Sequence, residues 1–331
     1  MLFGLPRLTI PKSWISSFAC SYVSLSHCTV TKHIVLGTTT RHSSIWTSCR
    51  TLANKIGQEN LEESIVFSSE KMEVIHLHKT VESTQEEAKR ILQERISKQE
   101  DTSSKLLPTM IAVLADGQTK GRGTSGRSWV TTQGNLFLTC AFAVEQIPLS
   151  KITMLPLGCE IVIADQLALH CSRTKPTLKW PNDVLLDEMK VAGTLIENFT
   201  IQNQTWWLVG IGVNLQSHPK ELVQEREDAL AVPRSAGSLQ MFCSNTIIPT
   251  APELGVSIAN GLLEFLTTIH SSSSTTDSIV ARWKMYAQLG VPYTIRNTGE
   301  VVHVNDIQPD GQLRVLGSNG QERFLSTDYF H

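Results

Sequence analysis

The sequence predicts an α+β protein: a mixed or antiparallel sheet flanked by helices, followed by a small β domain at the C-terminal end of the 331-residue chain. Three observations carry this. Between residues 72 and 289, β-prone runs are interspersed with segments of helical period. The runs at 110–114 and 136–144 flank a glycine-rich connection with no room for a crossover helix, which makes them an antiparallel pair. From Val291 onward, Thr298-Gly299, Asp310-Gly311 and Asn319-Gly320 punctuate short β-prone runs, the grammar of three to five strands.

Residues 1–71 precede this body as a leader and disordered linker. No Asp or Glu occurs before Glu59, while Arg7, Lys12, Lys32, Arg41, Arg50 and Lys55 are spread among Ser and Thr, the composition of an organelle transit peptide, mitochondrial or plastid. Pro6, Arg7, Pro11 and Lys12 break the one candidate apolar core of a secretory signal. Met72, directly before the first expected strand at 74–77, raises a second, cytosolic form that starts there and keeps the whole body.

A helix is expected to begin near Ser83, where Ser83 with Glu86 and Thr84 with Glu87 form overlapping capping boxes and Ala88, Ile91, Leu92 and Ile96 follow at helical spacing. A second helix spans 155–170 on the apolar face of Leu157, Ile161, Val162, Ala164, Leu167 and Ala168. Strands are expected at 178–179, 184–186, 191–199 and 206–214, a partly looped stretch at 221–250, and helices at 255–269 and 277–289. The body is thus 72–289. The β domain, 290–331, is too small to stand alone and must pack on it.

A composition of 41% hydrophobic and 18% charged residues suits a globular chain, and a net charge of −2 gives no electrostatic case for nucleic-acid binding. No apolar run approaches membrane-spanning length. The seven cysteines, Cys20, Cys28, Cys49, Cys140, Cys159, Cys171 and Cys243, contain no C-x-x-C pair and are read as reduced core thiols.

Chemistry concentrates in Gly121-Arg122-Gly123-Thr124-Ser125-Gly126-Arg127-Ser128-Trp129. Glycine lets backbone approach an anion closely, and two guanidiniums supply forked donors for phosphate or carboxylate. Gly121, Gly123 and Gly126 fit the dinucleotide pattern G-x-G-x-x-G, but that pattern needs a helix to follow, and the Gly134-Asn135 turn and a strand follow instead; Glu145 ends that strand without a crossover. A P-loop is excluded because no Gly-Lys-Ser/Thr succeeds the glycines. The segment is a loop between strands and binds its anion in another way.

Three further stretches, Lys179-Trp180-Pro181-Asn182-Asp183-Val184, Lys190-Val191-Ala192-Gly193-Thr194-Leu195-Ile196-Glu197 and Gly210-Ile211-Gly212-Val213-Asn214-Leu215, complete a pattern with Glu82-Ser83-Thr84 and the glycine loop. In this order and spacing the chain resembles the catalytic domain of biotin protein ligases, or holocarboxylase synthetases, over roughly residues 74–330. The resemblance implies a class II synthetase-like domain and an SH3-like C-terminal β-barrel. It implies ATP and biotin as substrates, biotinyl-5′-AMP as intermediate, and a lysine on the biotin carboxyl-carrier domain of a carboxylase as acceptor.

By that resemblance Arg122 and Lys190 are the catalytic cations, bringing the biotin carboxylate and the α-phosphate together. Ser83, Thr84, Gln85, Gln118, Gly123, Thr124 and Gly193 join them around biotin; Gly121, Arg127, Trp129, Asn182 and Asn214 serve the nucleotide. Ser83 and Thr84 are equally helix caps, Trp129 equally core, and Asn214 equally a turn closer. Asp183 is the candidate for Mg²⁺, which is held mainly by phosphates and water. Thr124 departs from the pattern, standing where many bacterial members carry a third arginine. A lipoate ligase shares fold and chemistry and is the nearest rival. A DNA-binding repressor is disfavoured, because residues 1–72 contain no pair of amphipathic helices. Monomer and homodimer remain open.

Overall fold

In the computed structural model the described residues are 63–100, 107–171, 174–220, 235–243, 247–271, 275–295 and 298–326. The expected leader and most of the 221–250 stretch fall outside them. Eight strands form one sheet: β1 (Glu63–Ser68), β2 (Met72–Val81), β3 (Met110–Gln118), β4 (Leu136–Ala143), β5 (Pro176–Lys179), β6 (Asp183–Leu186), β7 (Met189–Ile201) and β8 (Gln204–Val213). Their order is β1-β2-β3-β4-β8-β7-β6-β5, antiparallel throughout except β2 with β3. That parallel pair has a helical crossover, α1 (Thr84–Glu100), between its strands.

The first correction concerns the start of the body. Residues 63–68, assigned to the linker, form edge strand β1, paired with β2 from Glu63↔Leu77 to Ser68↔Glu73. A product starting at Met72 would therefore lose a strand and expose the edge of β2, so it does not keep the whole body.

Each sheet face has its own core. On one side Ala88, Ile91, Leu92 and Ile96 of α1 pack with Ile75, Leu77, Ile111, Val113 and Leu208. The other side carries α2 (Met154–Ala168), the short α3 (Leu239–Phe242), α4 (Ala251–Ser271) and α5 (Thr275–Tyr286), whose apolar residues share a cluster with Val74, Leu114, Val209 and Ile211. The α2 helix is buried almost all round, which fits a core helix. Its Gly158 lies against Phe265 of α4, where a Cβ would come within 2.2 Å of the ring, so the glycine lets the two helices approach. The α4 helix starts earlier than its periodicity suggests, because Thr250 and Glu253 form a capping box: Glu253 accepts from the Thr250 N–H at 2.8 Å, and the Glu253 N–H donates to Thr250 Oγ1 at 3.4 Å.

The C-terminal strands β9 (Pro292–Thr294), β10 (Val301–Ile307), β11 (Leu313–Gly317) and β12 (Glu322–Leu325) form an antiparallel meander, the sheet of an SH3-like domain. Gly299, Gly311 and Gly320 supply the positive φ (68°, 82° and 77°) of its turns. Its Val302, Val304, Ile307, Leu313 and Val315 belong to the α2-side cluster. The seam is polar as well: Lys284 of α5 pairs with Asp306 at 2.6 Å, and Trp180 Nε1 donates to the Gly311 carbonyl at 3.2 Å.

Cys140, Cys159, Cys171 and Cys243 are buried free thiols, and burial pushes Cys159 well up. Cys20, Cys28 and Cys49 lie outside the described residues. No helix among the described residues is long and apolar enough to cross a membrane.

Candidate functional site

The site lies on the α1 side of the sheet, where three glycines remove the side chains that would cover two adjacent strands. Gly193 of β7 pairs with Gly212 of β8, and Leu195 with Gly210. A Cβ on Gly212 would sit 2.4 Å from Trp129 Cε2, and one on Gly210 3.0 Å from Gln85 Nε2. A Cβ on Gly193 would meet both Lys190 Nζ and Trp129 Cζ3 at 3.1 Å. Trp129, Gln85 and Lys190 thus rest directly on sheet backbone.

Lys190 reaches this face because β7 carries a bulge. Val184 pairs with Ala192 but Leu185 with Lys190, leaving Val191 as the extra residue. Val191 and Ala192 consequently both turn into the α2-side core. Regular alternation would have put Lys190 on the face of Ala192; the bulge moves it to the face of Gly193. A short segment locks the bulge, with the Lys190 N–H donating to the Ser235 carbonyl at 3.1 Å and the Gly237 N–H to the Lys190 carbonyl at 3.0 Å.

The Lys190 ammonium lies 2.5 Å from Asp183 Oδ1 and 5.4 Å from the centre of the Trp129 ring, within cation–π range. Its side chain is 13% exposed and that of Asp183 only 3%. Behind Asp183, Glu160 of α2 accepts from Trp283 Nε1 at 2.6 Å. Burial drives the Glu160 carboxyl well above the carboxylate range, the Trp283 bond opposes this, and the Asp183 charge adds to it. Glu160 thus backs Asp183 from the α2 side, and Asp183 faces Lys190 on the other. The sequence offered Asp183 for Mg²⁺; the structure makes it the buried counter-ion of Lys190, and no group of three potential metal-ligating side chains surrounds it among the described residues.

Arg122 sits at the other end of the floor, 40% exposed. Its guanidinium donates to Gln85 Oε1 at 3.1 Å and to Glu197 Oε2 at 2.8 Å, and lies 3.1 Å from Glu86 Oε1. Lys89 joins the same two carboxylates at 2.9 and 3.6 Å. Burial would raise the Glu86 carboxyl, but Lys89 and Arg122 outweigh it and hold it below its ordinary value. Glu197, Glu86 and Lys89 were not singled out from sequence as site residues. Glu197 closes the quoted Lys190–Glu197 motif, and only the pairing of β7 beside α1 shows what it holds.

The remaining candidates divide between floor and frame. Ser83 is the N-cap of α1, its Oγ accepting from the Glu86 N–H at 3.2 Å. Thr84 is not a second cap: its N–H donates to Gln118 Oε1 at 2.8 Å and its hydroxyl accepts from Thr139 at 2.8 Å. Gln85 is buried, its amide donating to the carbonyls of Leu195 at 3.1 Å and Leu208 at 3.5 Å. Asn182 Nδ2 donates to the Thr194 carbonyl at 2.9 Å, and Asn214 Nδ2 to the Gly237 carbonyl at 3.0 Å, so both amides brace backbone. Asn135, which sequence marked only as a turn residue, is buried and its Oδ1 accepts from the N–H groups of Leu215 and Gln216 at 2.9 and 3.1 Å.

The 121–129 loop is a closed hairpin with a single 3₁₀ turn at Thr124–Gly126. The Trp129 N–H donates to the Gly121 carbonyl at 2.9 Å, and the Gly123 N–H to the Arg127 carbonyl at 2.7 Å. Arg127 folds back on Thr124, donating through Nε to its carbonyl at 2.9 Å and through a terminal nitrogen to Oγ1 at 2.5 Å. Thr124, the departure from the pattern, is thus an acceptor that fixes the second arginine. Trp129 Nε1 is buried with no acceptor among the described residues, a donor available to a ligand.

Comparison with known proteins agrees with this geometry. Residues 83–214, from the α1 cap to the end of β8, match the biotin/lipoate A/B protein ligase family. The bifunctional ligase/repressor BirA of Bacillus subtilis is 30% identical over 132 residues, 39% of this chain and 40% of that protein. The biotin--[acetyl-CoA-carboxylase] ligase of Mycobacterium tuberculosis is 31% identical over 115 residues, 34% and 42% of the two chains. The alignments therefore span about two fifths of those relatives' length. Among solved structures, the biotin protein ligase of Aquifex aeolicus in complex with biotin and ATP aligns with a TM-score of 0.56 at 21% identity, covering 78% of this chain and 97% of that one. That of Leishmania major in complex with biotin gives 0.55 at 20%, covering 79% and 100%. The glycine-floored face with its bulge-presented lysine thus lies within the segment, residues 83–214, that matches the biotin/lipoate A/B protein ligase family, and the fold around it is the one seen in solved biotin protein ligases.

Proposed function

We propose that the chain is an ATP-dependent ligase that activates biotin as biotinyl-5′-AMP and transfers the biotinyl group to a lysine of a biotin carboxyl-carrier domain. One observation carries the reading: a side-chain-free floor flanked by two cations whose charges are balanced by the protein's own carboxylates, Lys190 by Asp183 and Arg122 by Glu197 and Glu86. In the first step a biotin carboxylate oxygen attacks the α-phosphorus of ATP and pyrophosphate leaves. Two anions must meet, and Lys190 and Arg122 offset their repulsion by exchanging internal partners for substrate oxygens. In the second step the acceptor amine attacks the acyl carbon, the acyl–phosphate bond breaks, AMP departs, and the amine loses a proton.

Gln85 and Arg122 serve the biotin end of the floor, and the Trp129 ring, with its unpaired N–H, serves the nucleotide. Mg²⁺ bound with ATP would neutralise phosphate charge; Asp183 does not stand in an oxygen cage, so such an ion would be held mainly by the phosphates. The biotin-ligase relatives support biotin over lipoate, and the match at 83–214 supports a ligase without bearing on DNA binding. Residues 1–58, without acidic groups, support delivery to an organelle, testable by imaging a fusion of that segment.

The test is to incubate the full chain with ATP, Mg²⁺, an apo carrier domain, and either biotin or lipoate. Mass spectrometry of the acceptor should show a biotinyl adduct on one lysine. A lipoyl adduct alone, or an unmodified acceptor, would refute the proposal.

A further inference from the structure

On the sheet face opposite the glycine floor, β2 and β3 bring together three metal-ligating side chains outside the site above. His76 Nε2 lies 2.7 Å from Asp116 Oδ1, and the His76 and His78 rings are 4.1 Å apart between centroids. The ligand atoms of His76, His78 and Asp116 all lie within 4.8 Å of one another. His76 is almost buried, while His78 and Asp116 are exposed. His78 Nε2 is additionally 2.8 Å from Ser64 Oγ of β1.

We propose that His76, His78 and Asp116 form a binding site for a divalent transition-metal ion of the Zn²⁺ class, which staples β2 to β3. The donor set selects the ion: two imidazole nitrogens and one carboxylate oxygen suit Zn²⁺ and its neighbours, whereas Mg²⁺ takes oxygen ligands and octahedral geometry. Tetrahedral Zn²⁺ with arms near 2.0–2.1 Å holds its ligand atoms about 3.3 Å apart. The His76–Asp116 pair, at 2.7 Å, therefore opens by roughly half an ångström while His78 closes on them, movements that exposed His78 and Asp116 supply by rotating about a fixed His76. The fourth position is open to water, as the exposure of two ligands requires.

The position gives the staple a consequence. Between the pairs Leu77↔Ala115 and Thr80↔Gly117 the β2–β3 ladder is irregular, with His78 and Lys79 facing Asp116. The metal would join the strands where backbone pairing is interrupted. Directly beyond, β2 leads into Ser83, Thr84 and Gln85, and β3 into Gln118 and the 121–129 loop. A bound ion would set the spacing of the two segments that carry one end of the floor.

Purified full chain, stripped with chelator, is titrated with Zn²⁺ by calorimetry and with Co²⁺ by visible absorption. Neither readout uses catalysis, so the outcome is independent of the proposed ligase activity. One site is expected, unaffected by millimolar Mg²⁺ and weakened at least about tenfold in both His78→Ala and Asp116→Asn. At a hundredfold excess over the wild-type Kd, Zn²⁺ should raise the wild-type Tm by about 5–10 °C and that of either variant by at most about half as much. The proposal falls if Zn²⁺ does not bind in the micromolar range. It falls equally if either variant binds as tightly as wild type, which would leave His76 and Asp116 as a simple hydrogen-bonded pair.

Discussion

Replacing Lys190 with alanine removes two things at once, and the structure allows them to be separated. The ammonium is expected to stand about 4 Å from the reacting anions, which at an effective dielectric near 20 is worth roughly 4 kcal/mol. At about 1.36 kcal/mol per decade, adenylate formation should slow by about three decades. The same substitution leaves the Asp183 carboxylate, 3% exposed, without its partner. Breaking a buried pair from one side costs about 3–5 kcal/mol, and the lower end applies here because the space left by Lys190, whose side chain is 13% exposed, opens to water. At about 2–4 °C per kcal/mol for a body of this size, Tm should fall by roughly 6–12 °C. Lys190→Met combined with Asp183→Asn removes both charges and should recover most of the Tm while staying as slow as the single variant. The assays are thermal melting and biotin-dependent pyrophosphate exchange. Exchange within tenfold of wild type in Lys190→Ala, or recovered activity in the double variant, would refute the reasoning.

Three further outcomes follow from the geometry. Gly212→Ala places a Cβ 2.4 Å from the Trp129 ring and must displace it, so ATP binding by calorimetry should weaken at least about tenfold while Tm changes little; unchanged affinity would remove Trp129 from the nucleotide site. Deleting residues 1–71 instead of 1–62 additionally removes β1, so it should give the lower Tm of the two and promote self-association through the bare edge of β2; identical behaviour of the two truncations would contradict the pairing. Glu86 is held below its ordinary pKa by Lys89 and Arg122 against burial, so its stabilising contribution is present above the unfolded carboxylate range and lost as pH falls through the folded value. Acid melting curves should therefore be shallower in Glu86→Gln than in wild type, and parallel curves would refute the role of that network.

Local chemistry was legible in the sequence and long-range pairing was not. The Ser83 cap, the 155–170 and 255–269 helices, the β3–β4 pair and the turn glycines of the last domain each follow from patterns within a few residues. The parallel pairing of β2 with β3 depends on α1 crossing between them, and no short window contains that. Strand β1 was missed because its six residues, Glu63–Ser68, follow a stretch whose composition reads as a leader. The bulge left a faint trace, two adjacent apolar residues in Lys190-Val191-Ala192-Gly193 where alternation would allow one, and it is this bulge that turns Lys190 to the floor. The motif residues were visible while their partners were not. Asp183, offered by the sequence for Mg²⁺, lies 2.5 Å from Lys190, and Arg122, expected to meet substrate anions, is held by Glu197, which only the placement of β7 reveals.

The central claim, that this floor joins biotin to AMP, is tested most directly by exchange of labelled pyrophosphate into ATP, catalysed by the full chain without acceptor. The account predicts exchange that depends on biotin, is not supported by lipoate, and is lost in Lys190→Ala. Absence of exchange with biotin, or exchange driven by lipoate instead, would contradict it.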